Sequence, residues 1–271
     1  MAVENCLLFV RTGSVMYGTN IQGKSDSDFM GVYMPTTEHL FGLNGMEQVE
    51  FSTKNSGVRT KNTSEDFDCT LYSLSKYVFL LLNNNPNTLE TLFIPDNCRL
   101  YVHPLMQTLL DSHKIFVSKK LYHSFKGYSH SQTERLKRGE DNGSGRQELI
   151  QKFGFDTKMA SHALRLYLEC NELLSTGKVT LPLKENQLVL TVKKGEWNKE
   201  RFLEECVRLE KLCDELYAVT TLQHSPNKKV ANELLIKITK EFYGYDVERK
   251  KSSLKQRLAK LIRNFADFLE N

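Results

Sequence analysis

Two aspartates two residues apart, Asp26 and Asp28, lead into an apolar run through Phe29, Met30, Val32 and Tyr33 to Met34, where Pro35 stops it. Residues i and i+2 of a strand share one face. The run reads as a strand over 28–34, closed by a residue that cannot donate to a ladder. Two carboxylates on one face repel unless a cation lies between them. The chain therefore needs a sheet, and an acidic face on it. Two further strands are predicted nearby. Cys6–Arg11 ends in Thr12-Gly13-Ser14, and 67–72 is rich in Thr, Tyr and Cys.

Magnesium suits such a pair, because it takes a few carboxylates and fills its other positions with water and phosphate oxygens. A third carboxylate on a neighbouring strand would complete a site for two ions roughly 3.5–4 Å apart, clamping an attacking and a leaving oxygen. Asp68, inside Phe67-Asp68-Cys69-Thr70, is the natural third ligand. Asp66 would lie on the same face and is its rival. Manganese is the alternative ion. Gly13-Ser14 stands where a strand turns into a helix. Glycine lets backbone approach a phosphate closely, and N–H groups at a helix start with the Ser14 hydroxyl can hold an anionic triphosphate.

Each signal is weak alone. Gly-Ser is a common turn, Ser-Asp-Ser-Asp is more often a surface turn than a metal site, and a strand aspartate often sits at an exposed edge. Only their order along the chain is specific.

Beyond these strands the periodicity changes. Gly42, Gly45 and Gly57 mark a turn-rich stretch between the second and third strands. Ser73 reads as the cap of a helix carrying Leu74, Tyr77, Val78, Leu81 and Leu82, ended by Asn83-Asn84-Asn85-Pro86. A short helix over 88–93 follows, closed by Pro95. Later residues read as helices over 118–138, from Asp156 to near Gly177, over Lys199–Val219 and over 232–243. A last amphipathic helix has Leu254, Leu258, Leu261, Ile262, Phe265 and Leu269 on one stripe. The expected class is α+β: a small mixed-sheet domain over 1–115, then a mainly α-helical bundle over 116–271.

Charge divides in the same place. Residues 1–115 hold 8 Lys/Arg against 12 Asp/Glu, and residues 116–271 hold 29 against 21. An acidic first part and a basic second part suit a metal site and a phosphate-bearing partner; chance and solvated helix faces are the competing reading. No run approaches about 18 apolar residues, so no membrane span is expected. Met1 to Val10 lacks a basic start and a cleavage site, so no secretory signal is expected. Six cysteines form no C-x-x-C pair. Reduced, mostly buried thiols in a cytoplasmic protein are expected, and no structural zinc.

The ordered combination resembles the nucleotidyltransferases of the DNA polymerase beta superfamily. The segments are Gly13-Ser14-Val15-Met16-Tyr17-Gly18-Thr19 and Ser25-Asp26-Ser27-Asp28-Phe29-Met30-Gly31-Val32-Tyr33. Within the superfamily the chain is most similar to the YcgL-like branch, which includes the RNA-ligase-associated group RlaP. That branch shows G-S-x-x-Y-G, S-D-x-D-x-x-G-V-Y, D-x-x-x-Y-S-L-x-K-F and N-P-x-x-L-E-x-L. The third pattern reads here as Asp68 through Tyr72-Ser73-Leu74-Ser75-Lys76 to Tyr77, with Tyr77 where Phe is usual. The fourth reads Asn85-Pro86-Asn87-Thr88-Leu89-Glu90-Thr91-Leu92. A K-G-Y element matches Lys126-Gly127-Tyr128, and K-x-x-x-H-x-x-R-L matches 158–166. The resemblance covers most of the first 180 residues and fades after about 190.

The resemblance implies a polymerase-beta-like domain with Asp26, Asp28 and Asp68 as catalytic metal ligands. It implies Gly13, Ser14 and Tyr17 at the nucleotide, with Lys126, Tyr128, Lys158, His162 and Arg165 contributing. The reaction implied is transfer of a nucleoside monophosphate from a nucleoside triphosphate such as ATP to an acceptor hydroxyl, with pyrophosphate released. RNA under repair, a tRNA or an RNA 3′ end, is the leading acceptor. Protein AMPylation, modification of an aminoglycoside-like molecule, and a non-catalytic nucleotide- or RNA-binding module are the alternatives.

Lys158, His162 and Arg165 have a separate argument. Their i, i+4, i+7 spacing puts them on one helical stripe, beside an apolar stripe of Met159, Ala163, Leu166, Cys170 and Leu173. A solvated face near a core histidine competes with a cleft-lining role. Tyr128 could stack on a base or be an interfacial tyrosine. Arg11 and Lys24 flank the site and are either phosphate-neutralising or solvated. The polar stretch 139–146 is either a covering loop or a plain one. The basic last helix is either an RNA contact or a solvated bundle face.

Overall fold

The computed structural model describes residues 5–22, 27–43, 45–52, 67–139 and 147–244. Asp26, Lys24, Asp66, the stretch after Gly139 and the 254–269 stripe lie outside the described residues.

Strand β1 (Cys6–Arg11) turns through the single-turn helix α1 (Gly13–Met16) into β2 (Ser27–Tyr33). Next come α2 (Thr37–Phe41), β3 (Gln48–Ser52) and β4 (Phe67–Ser73). Helix α3 (Leu74–Leu82) leads to α4 (Pro86–Leu89) and a 3-10 turn, Glu90–Phe93. Then β5 (Arg99–Val102) and α5 (Pro104–Asp111) complete the mixed part. Six helices follow: α6 (Lys120–Arg138), α7 (Gln147–Phe153), α8 (Thr157–Thr176), α9 (Asn186–Lys193), α10 (Lys199–Val219) and α11 (Lys228–Phe242). The architecture is α+β, as expected.

The sheet runs β3-β4-β2-β1-β5. Strands β2 and β4 are parallel, and the other three pairings are antiparallel. Strands β3 and β5 correct the expectation of three strands, since β3 lies inside the stretch read as turns. Both are short edge strands, and β3 is exposed along most of its length. An edge strand that buries little carries no alternating apolar signal for sequence reading to find.

The sheet has one thickly covered face. Leu8, Val10, Met30 and Val32 join the main core with the helices. The other face holds a small cluster of Tyr33, Cys69 and Leu71, with Phe9, Phe29 and Val49 against it. Phe9 stacks on Phe29 at 5.6 Å.

Helix α8 is the axis of the helical part and packs against α6, α9 and α10. The Asp156 carboxylate caps it, accepting the N–H groups of Lys158 and Met159, and Gly177 closes it in the left-handed region at φ +72°. Its expected apolar stripe, Met159, Ala163, Leu166, Cys170 and Leu173, is buried throughout. Each such leucine contributes about 1.5–3 kcal/mol by leaving water. The same core cluster draws residues from Leu7 to Ile238, so both parts of the chain share it. All six cysteines are free thiols, five of them buried. Among the described residues no helix is long and apolar enough to cross a membrane.

Candidate active site

The parallel register of β2 and β4 pairs Asp28 with Asp68. Opposed residues on adjacent strands put their side chains on the same side of a sheet. Both aspartates line a cleft of about 430 Å³ between the sheet and the helices. That volume lies within the range of small-molecule sites. Ser52 of β3, opposite Asp68 on its other side, donates its hydroxyl to Asp68 Oδ1 at 2.6 Å.

The turn after β1 closes over Asp28. Gly13 has φ +64°, and a Cβ there would lie 2.1 Å from Asp28 Oδ2. Glycine is thus required twice, by the backbone angle and by the carboxylate pressed against it. The Thr12 N–H donates to the Asp28 carbonyl at 2.8 Å, fastening turn to strand. Beside it, Ser14 Oγ is buried without a hydrogen-bond partner among the described residues. A buried hydroxyl without a partner loses its hydration, so an anion reaching it would gain a ready donor.

Helices α8 and α9 form the facing wall. Lys158, Ser161, His162 and Arg165 line the cleft from α8, and Val189 and Lys193 from α9. Lys193 Nζ donates to the Thr19 carbonyl at 2.8 Å. Arg165 does not stand in the open. It is 3% exposed, and its Nη1 donates to Glu90 Oε2 at 2.6 Å and Glu169 Oε1 at 2.8 Å. Its Nη2 lies 3.1 Å from His162 Nδ1. A guanidinium only donates, so His162 Nδ1 is the acceptor in this contact. The guanidinium also lies 3.9 Å over the Tyr17 ring, and the Tyr17 hydroxyl donates to Glu90 Oε1 at 2.5 Å.

Electrostatics follow from this burial. Burial works against the Arg165 charge, but Glu169, Tyr17 and Glu90 outweigh it and hold the guanidinium ionised. Burial pushes Glu169 up to about 8 against the pull of Arg165, with Glu90 adding to the rise. Burial also holds the Tyr17 hydroxyl well above its ordinary value, so it stays protonated as the donor to Glu90.

Of the residues expected at the site, Asp28, Asp68, Gly13, Ser14, Tyr17, Lys158, His162 and Arg165 line this one cleft. Tyr17 and Arg165 are engaged with each other and with Glu90, so the basic stripe is interrupted by a buried member. Asp26 lies outside the described residues. Lys126 is not among the cleft-lining residues: its ammonium reaches across to α10, 2.6 Å from Asp214 and 3.4 Å from Glu210. Partial burial works against that charge, but Asp214 and Tyr122 outweigh it. Tyr128 is half exposed and meets the cleft through His162, edge to face at 5.7 Å.

Ser52, Glu90 and Lys193 stand at or beside the cleft without a role in the sequence reading. Glu90 carried a signal, being a carboxylate among Leu89, Leu92 and Phe93. Ser52 and Lys193 carried none.

Among the described residues no group of three or more His, Cys, Asp or Glu is arranged to hold a metal ion. The donor set at the sheet still fits magnesium. Asp28 and Asp68 offer hard oxygen donors side by side, with a tight glycine turn and a buried hydroxyl next to them.

Comparison with known proteins adds three findings. The model of the family described as RlaP, RNA repair pathway DNA polymerase beta family, matches residues 3–240. Over 83 residues the chain is 32% identical to an uncharacterized 38.9 kDa protein of the nrdC-mobD intergenic region of Enterobacteria phage T4; the match covers 31% of this chain and only 24% of that protein. A nucleotidyltransferase-like protein from Exiguobacterium sibiricum 255-15 aligns over 98% of this chain and 84% of its own, at 10% identity and a TM-score of 0.29, too remote to inform the site.

Proposed function

This chain belongs to RlaP, the RNA repair pathway DNA polymerase beta family, and we propose that it is a magnesium-dependent nucleotidyltransferase acting on RNA. In this reading the acceptor hydroxyl oxygen bonds to the α-phosphorus of a nucleoside triphosphate. The bridging α–β oxygen bond breaks, pyrophosphate departs, and the hydroxyl proton passes to a carboxylate of the site. The protein's part is mainly positioning and charge neutralisation.

One observation carries the reading: Asp28 and Asp68 stand in register beside Gly13 and Ser14 on one wall of a cleft whose other wall bears Lys158, His162 and Lys193. Asp28 and Asp68, joined by Asp26, would hold the metal. Magnesium when bound would neutralise the triphosphate and the charge developing on the leaving pyrophosphate. Gly13 and Ser14 would approach the phosphates, and Lys158 and Lys193 would face them. Residues 1–115 would supply the catalytic face and 116–271 the facing wall. The RNA acceptor draws support from the family description and from the excess of 29 Lys/Arg over 21 Asp/Glu in the second part.

The test is transfer of label from each α-labelled nucleoside triphosphate, with magnesium, to mixed small RNAs. Label on RNA is expected. Label on protein alone would replace RNA with a protein acceptor. Absence of transfer to any acceptor would overturn the enzymatic reading.

A further inference from the structure

Two walls of the cleft come from distant parts of the chain, and one carboxylate, Glu90, contacts both. Each oxygen of Glu90 is committed to a different wall. Oε1 accepts from the Tyr17 hydroxyl at 2.5 Å, and Tyr17 follows directly on the Gly13–Met16 turn. Oε2 accepts from Arg165 Nη1 at 2.6 Å, on α8. Arg165 in turn reaches His162 Nδ1 at 3.1 Å, so the chain of contacts runs from the phosphate turn to a histidine of the facing wall. Glu90 is 2% exposed and itself lines the cleft.

Geometry distinguishes a spacing role from a purely electrostatic one. Arg165 already has a second hydrogen-bond acceptor, since Glu169 Oε1 lies 2.8 Å from the same Nη1. Hydrogen bonding of Arg165 alone does not require Glu90. Among the described residues, Glu90 is the carboxylate that hydrogen-bonds both Tyr17 and Arg165. A buried carboxylate with both oxygens in charge-assisted or short hydrogen bonds is a rigid spacer.

We propose that Glu90 is a positioning residue that fixes the distance between the Gly13–Ser14 turn and the Lys158–His162 face, and so the width of the nucleotide cleft. The role rests on the nucleotidyltransferase reading for its consequence, but the tie itself is a property of the fold. Tyr17 and Arg165 then serve the nucleotide by holding the walls.

Two conservative variants separate the roles. Glu90→Gln keeps the length, since its carbonyl accepts from Arg165 and its amide donates to the Tyr17 oxygen, but it loses the charge. Glu90→Asp keeps the charge but is one methylene too short to reach both partners. Binding of a fluorescent ATP analogue with magnesium is measured for each. Glu90→Asp is expected to weaken binding about tenfold or more, the scale of one lost charge-assisted hydrogen bond. Glu90→Gln is expected to stay within about threefold, well under the loss from one such bond. The reverse order, or wild-type binding in both, would overturn the proposal.

Amide hydrogen exchange gives a readout that needs no nucleotide. In Glu90→Asp the amides of Tyr17, Gly18 and Thr19 are expected to exchange faster while those of β2 and β4 keep their protection. Unchanged exchange at Tyr17–Thr19 would overturn the tie. Faster exchange there in a protein whose wild type binds no nucleotide would keep the tie and remove the enzymatic reading instead.

Discussion

Asp28 and Asp68 stand directly opposite one another on the parallel strands β2 and β4. Asp68 is thus the β4 residue in register with Asp28. The pairing also gives the fold an internal tension, because two carboxylates share one side of the sheet. Ser52 Oγ, 2.6 Å from Asp68 Oδ1, and the Gly13 turn against Asp28 hold that arrangement in place.

Gly13 is the least replaceable residue of the turn. Gly13→Ala forces a side chain into the left-handed region, at about 1–2 kcal/mol, and sets its Cβ against Asp28 Oδ2. The expected outcome is a fall in unfolding free energy of at least that size, with loss of transfer activity even at temperatures where the variant is folded. Urea denaturation with an activity assay checks it. A stable, active Gly13→Ala protein would contradict the contact.

Ser52 orients a carboxylate from an exposed edge strand. Its loss should barely affect stability, within about 1 kcal/mol, since the bond is solvent-exposed. Partners of metal-ligating carboxylates typically matter about 10–100-fold for metal affinity or activity. Ser52→Ala is therefore expected to melt near wild type while its apparent magnesium affinity in the transfer assay drops. An unchanged magnesium dependence would show that Asp68 is oriented without it.

Lys126 belongs to the packing of α6 on α10. Lys126→Met is expected to lower stability by up to about 1 kcal/mol, as for other partly exposed ion pairs, and to leave nucleotide affinity as in the wild type. Nucleotide titration of the folded variant is the check. A large loss of affinity would return Lys126 to the nucleotide site.

Glu169 gives the stability a pH dependence of definite sign. Its folded pKa is raised to about 8 from an ordinary 4.5, first by burial. Between those values the folded state holds a proton that the unfolded state has lost. Stability from this group is therefore full below pH 4.5, declines as pH rises, and is lost above about 8. At most one proton is involved, so the slope is at most about 1.4 kcal/mol per pH unit. Urea midpoints from pH 5 to 9 should decline more steeply for wild type than for Glu169→Gln. Parallel curves would show that Glu169 titrates normally.

Much of this site could be read from the sequence, for identifiable reasons. The strand Cys6–Arg11, the Ser73 cap and the Asp156-to-Gly177 helix follow local rules of alternation and capping, and the structure shows each of them. Gly13 and Ser14 were legible only through their order ahead of Asp26 and Asp28, since a Gly-Ser turn alone is common. Asp68 was legible as a charge in an apolar strand, but its pairing with Asp28 is a matter of register, which only tertiary structure sets. Strand β3 was invisible because it buries little, and Ser52 was hidden with it. The inward turn of Arg165 was equally unreadable. Its spacing placed it with Lys158 and His162, and only the approach of Glu90 and Glu169 shows why a cation is stable at 3% exposure.

Metal-dependent nucleotidyl transfer, as proposed, would rest on the Asp28–Asp68 pair. The most direct measurement is magnesium-dependent release of pyrophosphate from a nucleoside triphosphate in the presence of acceptor RNA, for wild type, Asp28→Asn and Asp68→Asn side by side, with each protein's melting temperature recorded. Release by the wild type is expected, absent without magnesium and reduced about 10²–10³-fold in either folded variant, of the order seen when one preorganised charge-stabilising group is removed. Equal release by a folded Asp28→Asn or Asp68→Asn protein would contradict the account.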